Sequence, residues 1–167
     1  MVRFLGAMMI FFAVSFFGIY LSDNIKRKRE RLETEEKIIE EISVMIRWNS
    51  LTLNEIAEEL FNNKIYSNVE FLKKLSECCN GKCSFPAAWE NAVLSDKNLC
   101  KEEKKVLLEV GATLGTTDKE GQLSALELYG ARIKKMEESE AEKYRIKGRM
   151  YRSLGVTAGA MIGIIII

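Results

Sequence analysis

The chain has 167 residues, 47% apolar and 29% charged, with a single proline and no histidine. Without histidine it has no serine–histidine or cysteine–histidine nucleophile, no histidine-ligated zinc and no imidazole acid–base catalysis; 9% aromatics and one Pro argue against both disorder and a loop-rich β-sandwich. The net charge of +1 averages over segregated segments: residues 24–31 carry Lys26, Arg27, Lys28, Arg29 and Arg31 against Glu30, residues 32–141 hold 14 Lys or Arg against 21 Asp or Glu, and residues 142–152 carry Lys143, Arg145, Lys147, Arg149 and Arg152 against Glu142.

The first element is an uncharged run, residues 4–21, whose only polar members are Ser15 and Tyr20. At about 1.5 Å per residue it reaches roughly 27 Å, close to the ~30 Å hydrocarbon core of a bilayer. It exceeds the apolar region of a secretory signal, about 7–15 residues, and no small-x-small cleavage site stands directly before Asp23. Residues 1–22 therefore read as a transmembrane helix.

Residues 23–149 read as a helical bundle whose boundaries are marked by capping chemistry. The first helix continues over 24–48, with Leu32, Ile38, Ile39, Ile42, Met45 and Ile46 as its apolar stripe. Thr52 with Glu55, Ser67 with Glu70 and Thr117 with Glu120 fit the capping box, in which a hydroxyl caps a free amide and the glutamate reaches back. These imply helices over 53–61, 68–79 and from 118 toward 152; between them stand helices over 85–94, after Ser84, and 100–114, closed by Gly115. The long last helix carries Leu123, Leu126, Ile133, Met136 and Tyr144 at 3 and 4 spacing. Trp48 and Trp89 read as core residues.

The corner Leu114-Gly115-Thr116-Thr117-Asp118 joins the last two helices. Gly115 suits a left-handed cap, Thr117 an N-cap and Asp118 the positive end of the next helix, and Gln122 lies one turn beyond on the face of Asp118. Architecture accounts for most of this pattern; the functional reading of Gly115, Asp118 and Gln122 is a docking surface for another protein. The run 111–115 lacks the lysine of a phosphate-binding loop and reads as a helix stop and restart.

Residues 150–167 are the second transmembrane candidate. The uncharged part, 154–167, covers about 21 Å, so the span borrows 150–153, with Arg149 and Arg152 snorkelling. Gly155, Gly159 and Gly163 repeat every fourth residue and form one stripe for close membrane-helix packing. Both basic clusters lie on the side of the central segment, and cations near a span are retained in the cytoplasm. The bundle is expected to be cytoplasmic with both termini outside. Anionic head groups account for the same clusters, without nucleic acid.

Cys78, Cys79, Cys83 and Cys100 could hold a structural zinc, but a C-x3-C pair departs from C-x2-C knuckles, and disulfides are unstable in a reducing cytosol. Small buried hydrophobes or thiols at a helix end is the favoured reading. Glu40, Glu41, Glu58 and Glu59 recur at helix-face spacing, yet no E-x-x-H pattern accompanies them, so they read as a solvated face. No catalytic residue, cofactor or metal is expected.

On these residues the chain resembles the stage III sporulation protein AB family of endospore-forming bacteria. The shared features are the Gly6-containing first span, the basic run after it, Phe85-x-x-x-Trp89, the Leu114-Gly115-x-x-Asp118-x-x-x-Gln122 corner and the glycine-rich terminal span, over essentially the full length. The resemblance implies an all-α fold: a cytoplasmic bundle of about six helices, similar to that of the platform protein of type II secretion and type IV pilus machines, flanked by two transmembrane helices. It implies a non-enzymatic scaffold in the mother-cell membrane, part of the channel to the forespore. Its partners would be a secretion-type ATPase (stage III sporulation protein AA), other channel subunits and membrane lipids. Alternatives are a membrane-tethered signalling adaptor, which normally needs an extracytoplasmic domain, and a metal or redox module resting on the four cysteines.

Overall fold

The computed structural model describes the chain except residues 1, 50, 80–83, 149, 152, 155–156, 158–160 and 162–167; of residues 2–5, 7, 10–11, 14–15 and 79 it describes the backbone alone. Among the described residues there are six α-helices and no strand. The chain divides into two compact units, Met1–Leu32 with Lys135–Ile167, and Glu33–Lys134.

Within Glu33–Lys134 the later turns of α1 (Val2–Val44) bury Ile38, Ile39 and Ile42, the expected stripe. The chain then widens into a π turn, Met45–Asn49. A π turn holds more residues than an α turn and shifts the phase of the face that follows. Met45 and Ile46 stay buried, but Trp48 emerges 76% exposed, so the expectation that Trp48 is core is overturned.

α2 (Leu53–Asn62) begins with the expected capping box. Glu55 N–H donates to Thr52 Oγ1 (3.4 Å) and Thr52 N–H to Glu55 Oε2 (2.7 Å). The second expected box does not form. Asn63 Oδ1 accepts from Ile65 N–H (3.1 Å) and caps a single 3-10 turn, Lys64–Tyr66. That turn leaves Ser67 helical (φ −56°, ψ −23°) instead of extended as an N-cap requires. α3 (Glu70–Cys79) accordingly starts later than 68, and Glu70 instead pairs with Lys74 (3.1 Å) and accepts from Asn98 Nδ2 (2.9 Å). α4 (Phe85–Ser95) carries Pro86 in its first turn, where a missing N–H costs no helical bond. α5 (Lys101–Thr113) starts at Cys100, whose N–H donates to the buried Glu103 carboxylate (2.7 Å).

Trp89 is the centre of the α3–α4–α5 core. It is 1% exposed, with Phe71 edge-on at 5.6 Å and Phe85 at 5.7 Å between ring centroids. Its indole N–H donates to Leu107 O (2.7 Å), which satisfies the one polar atom a buried Trp brings with it. The ring lies on Gly111: a methyl there would stand 2.2 Å from Trp89 Cδ1. Gly111 is thus inside α5 as a seat for Trp89, and the helix stop expected over 111–115 comes at Leu114.

A second buried polar group joins α1 to the loop after α2. The Tyr66 hydroxyl donates to Glu41, which also accepts from Asn63 Nδ2 (3.3 Å). Burial, then the carboxylate, push the Tyr66 phenol above its ordinary range. Tyr66→Phe is expected to cost about 1–2 kcal/mol through loss of a charge-assisted bond, measured as a lower urea midpoint at unchanged slope.

α6 (Lys119–Lys143) contributes buried Leu126 and Ile133 to the same unit, and its Arg132 pairs with Glu109 of α5. In the other unit Lys28 and Lys143 both donate to Glu140 (2.9 Å each), and Arg29 to Glu137 (2.6 Å). Past a second π turn, Tyr144–Gly148, residues Met150, Tyr151, Ser153, Leu154, Thr157 and Met161 are helical. A methyl at Gly148 would stand 3.3 Å from Ser22 Oγ, so the backbone passes close to α1 there. Burial raises the Glu140 pKa, but the bonds from Lys143 and Lys28 outweigh it and hold the carboxyl below its usual range. Because its folded pKa lies below the unfolded one, this stabilisation is present at neutral pH and is lost as pH falls through the folded value, beneath about 4.3. Glu140→Gln is expected to flatten the acid-side fall in Tm, measured between pH 7 and pH 3.

Among the described residues no helix is long and apolar enough to cross a membrane. The spans expected over 1–22 and 150–167 lie only partly within those residues.

Candidate functional site

The corner between α5 and α6 is built by one helix stop and one helix start. Leu114 is buried and its N–H returns to Val110 O (3.1 Å). Gly115 follows at φ +79°, a left-handed conformation open to glycine without strain; a side chain there would also meet Leu53 Cδ1 at 2.8 Å. Thr116 turns its hydroxyl back onto Ala112 O and Thr113 O (3.0 Å each).

The cap of α6 is Asp118, which overturns the expected Thr117–Glu120 box. Asp118 Oδ1 accepts from Gly121 N–H (3.2 Å), and a methyl at Gly121 would crowd that oxygen at 2.7 Å. Aspartate is as good an N-cap as a hydroxyl, and glycine three residues on leaves room for its carboxylate. Gln122, expected to share a face with Asp118, donates Nε2 back to Thr117 O (2.8 Å). Lys119 Nζ donates to Arg47 O (2.8 Å) and ties the start of α6 to the π turn after α1.

Together Ile46, Leu51, Thr52, Leu53, Gly115, Lys119 and Gln122 line a cleft of about 300 Å³. Ile46, Leu51 and Leu53 give it an aliphatic side, and among the described lining residues Lys119 is the one ionisable group. The arrangement offers shape and hydrogen bonding to a partner rather than proton transfer. Gly115 and Gln122 thus meet in the cleft, while exposed Asp118 stands on the same corner with its carboxylate committed to the cap. Sequence reasoning missed Lys119 and the wall from Leu51 to Leu53, because only folding brings residues so far apart in the chain together. Gly121, three residues after Asp118, was a readable capping signal.

Gly155, Gly159 and Gly163 lie outside the described residues, as do Cys83 and the Cys79 side chain. Cys78 and Cys100 are free and half-buried, and burial pushes the Cys100 thiol up, away from the thiolate a metal or an oxidant would need. Among the described residues no group of His, Cys, Asp or Glu is placed to hold a metal. Glu40, Glu58 and Glu59 are exposed, while Glu41 is taken up by Tyr66 and Asn63.

The family model for stage III sporulation protein AB matches residues 3–167. The chain belongs to that family. No curated protein and no solved structure matches the chain. The family match covers both units and makes this a protein of sporulation stage III, and the family is not a known family of enzymes.

Proposed function

We propose that the protein is a non-enzymatic platform subunit of a sporulation-specific, secretion-like channel between mother cell and forespore. It is held in the mother-cell membrane by two spans and docks a cytoplasmic secretion-type ATPase, similar to stage III sporulation protein AA, at the α5–α6 corner. The observation that carries this reading is the surface of α1: Phe12, Phe16, Phe17, Ile19 and Tyr20 are all exposed, Phe16 by 72%. So large an apolar patch on one helix marks a membrane or partner surface. Lipid suits it best, since residues 4–21 carry no charge and the basic cluster at Lys26 to Arg31 follows directly. That polarity supports a cytoplasmic Glu33–Lys134 with both termini outside, and Gly155, Gly159 and Gly163 then supply a packing stripe in the second span. The acidic excess of residues 32–141 favours a cationic partner surface, with exposed Asp118 beside the open cleft.

Two substitutions separate docking from architecture. Asp118→Asn keeps an acceptor for Gly121 N–H while removing the charge; Asp118→Lys reverses the charge and removes the cap, at about 1 kcal/mol. Recovery of the ATPase with the detergent-extracted protein is expected to fall about tenfold for Asp118→Lys and by less for Asp118→Asn. Equal recovery with wild type and Asp118→Lys would remove the corner from the interface.

A further inference from the structure

We infer that the groove between α1 and α6 within Glu33–Lys134 is a docking site for a cationic amphipathic helix of a partner protein. The two helices run antiparallel here. Lys134 pairs with Glu36 at one end (3.6 Å), Gly130 faces Ile39 midway, and Lys119 holds Arg47 O at the other end (2.8 Å). Between them lies a groove of about 480 Å³. One wall, from α1 and the π turn that follows it, carries Glu36, Glu40, Val44 and Trp48, four residues apart, so the groove runs for roughly 18 Å.

Three features say what fits. The length matches about three turns of a helix, and a trough between two parallel axes is the seat of a third helix, the helix-in-groove mode of recognition. The floor is apolar and low: Leu123, Leu126 and Ala131 line it, and Gly130 adds no side chain over Ile39. Trp48 stands at the mouth with Val44 half exposed beside it, a rigid aromatic anchor of the kind that dominates binding energy when a partner covers it. The walls supply the charge. Beyond Glu36, which Lys134 engages, Glu40 and Glu127 line the groove with two exposed carboxylates against one further cation, Arg47, so the acidic excess is a single charge. An occupant with aliphatic residues at 3 and 4 spacing and Lys or Arg on its flanks would bury the floor and answer the carboxylates, and an arginine could stack on Trp48. The inference goes beyond the corner and stands whether or not an ATPase docks there.

The test places a photoreactive phenylalanine analogue at Trp48 of the full chain in sporulating cells, with a second chain carrying it at Ile65, which is 71% exposed elsewhere in the same unit, as control. The expected result is an adduct at position 48, absent from the control, whose partner peptide maps by mass spectrometry to an amphipathic helix with basic flanks. Glu40→Lys with Glu127→Lys should lower that adduct about tenfold, and Glu40→Gln with Glu127→Gln by less. Both pairs sit on the surface, and circular dichroism checks that they leave the helices folded. An adduct to lipid, to a second copy of this chain or to an acidic segment would overturn the inference, as would no adduct above the control or one indifferent to charge reversal.

Discussion

Replacing Trp89 with alanine is expected to destabilise the Glu33–Lys134 unit by about 3–5 kcal/mol, a large fraction of the stability of a domain of this size. The ring is 1% exposed, makes two aromatic contacts and donates its N–H to Leu107 O. Truncation therefore leaves a cavity flanked by Phe71, Phe85 and Gly111, and no neighbouring backbone can collapse into it without breaking a helix. The reciprocal change is as severe for the opposite reason. Gly111→Val drives branched carbons into a ring already 2.2 Å from where a first methyl would sit, and overpacking of this kind costs about 1–3 kcal/mol or more. Trp48→Ala is the internal control, expected to stay within about 0.5 kcal/mol because that ring touches solvent. Guanidinium unfolding of the full chain, followed by far-ultraviolet circular dichroism, reads all three. A loss below about 1 kcal/mol for Trp89→Ala would refute this account of the core.

Phe12→Arg combined with Phe16→Arg is expected to disable the first span and to lower retention in the membrane fraction, leaving the proposed second span as the remaining anchor. Each arginine near the middle of a spanning helix costs about 2.5–3.5 kcal/mol on insertion scales. Two on the exposed phenylalanine face of α1 outweigh what the remaining apolar residues contribute. Ile65→Arg, at a position just as exposed but in the other unit, is expected to leave partition unchanged. The measurement is the share of protein kept in membranes after alkaline carbonate extraction. Wild type extracted without detergent would defeat the membrane reading, and a double variant retained like wild type would remove α1 as a necessary anchor.

Much of the helical layout was legible because capping is local chemistry. Thr52 and Glu55 lie three residues apart, and their box forms as read. Ser67 and Thr117 carry the same signature and fail, each displaced by a neighbour: Asn63 caps a 3-10 turn that holds Ser67 helical, and Asp118, backed by Gly121, takes the start of α6. The buried stripe of α1 could be followed to Ile46 by a period of 3.6, but Trp48 lies off that stripe, four residues beyond half-exposed Val44, and faces solvent instead of the core. At the corner, Gly115 was legible from its need for positive φ. Lys119 was not, because its acceptor is a carbonyl 72 residues away in the chain.

Sequence alone therefore determined what depends on composition and neighbours: an all-helical chain, two uncharged ends beside cationic clusters, an acidic middle, the absence of histidine chemistry, and family membership. Tertiary structure decided which side chains are committed. It turned Gly111 into the seat of Trp89, tied Lys119 to the Arg47 carbonyl and left Trp48 standing over a groove. The reason is range: capping and hydropathy act within a turn or two of helix, whereas burial and groove formation depend on which distant backbones come within van der Waals contact.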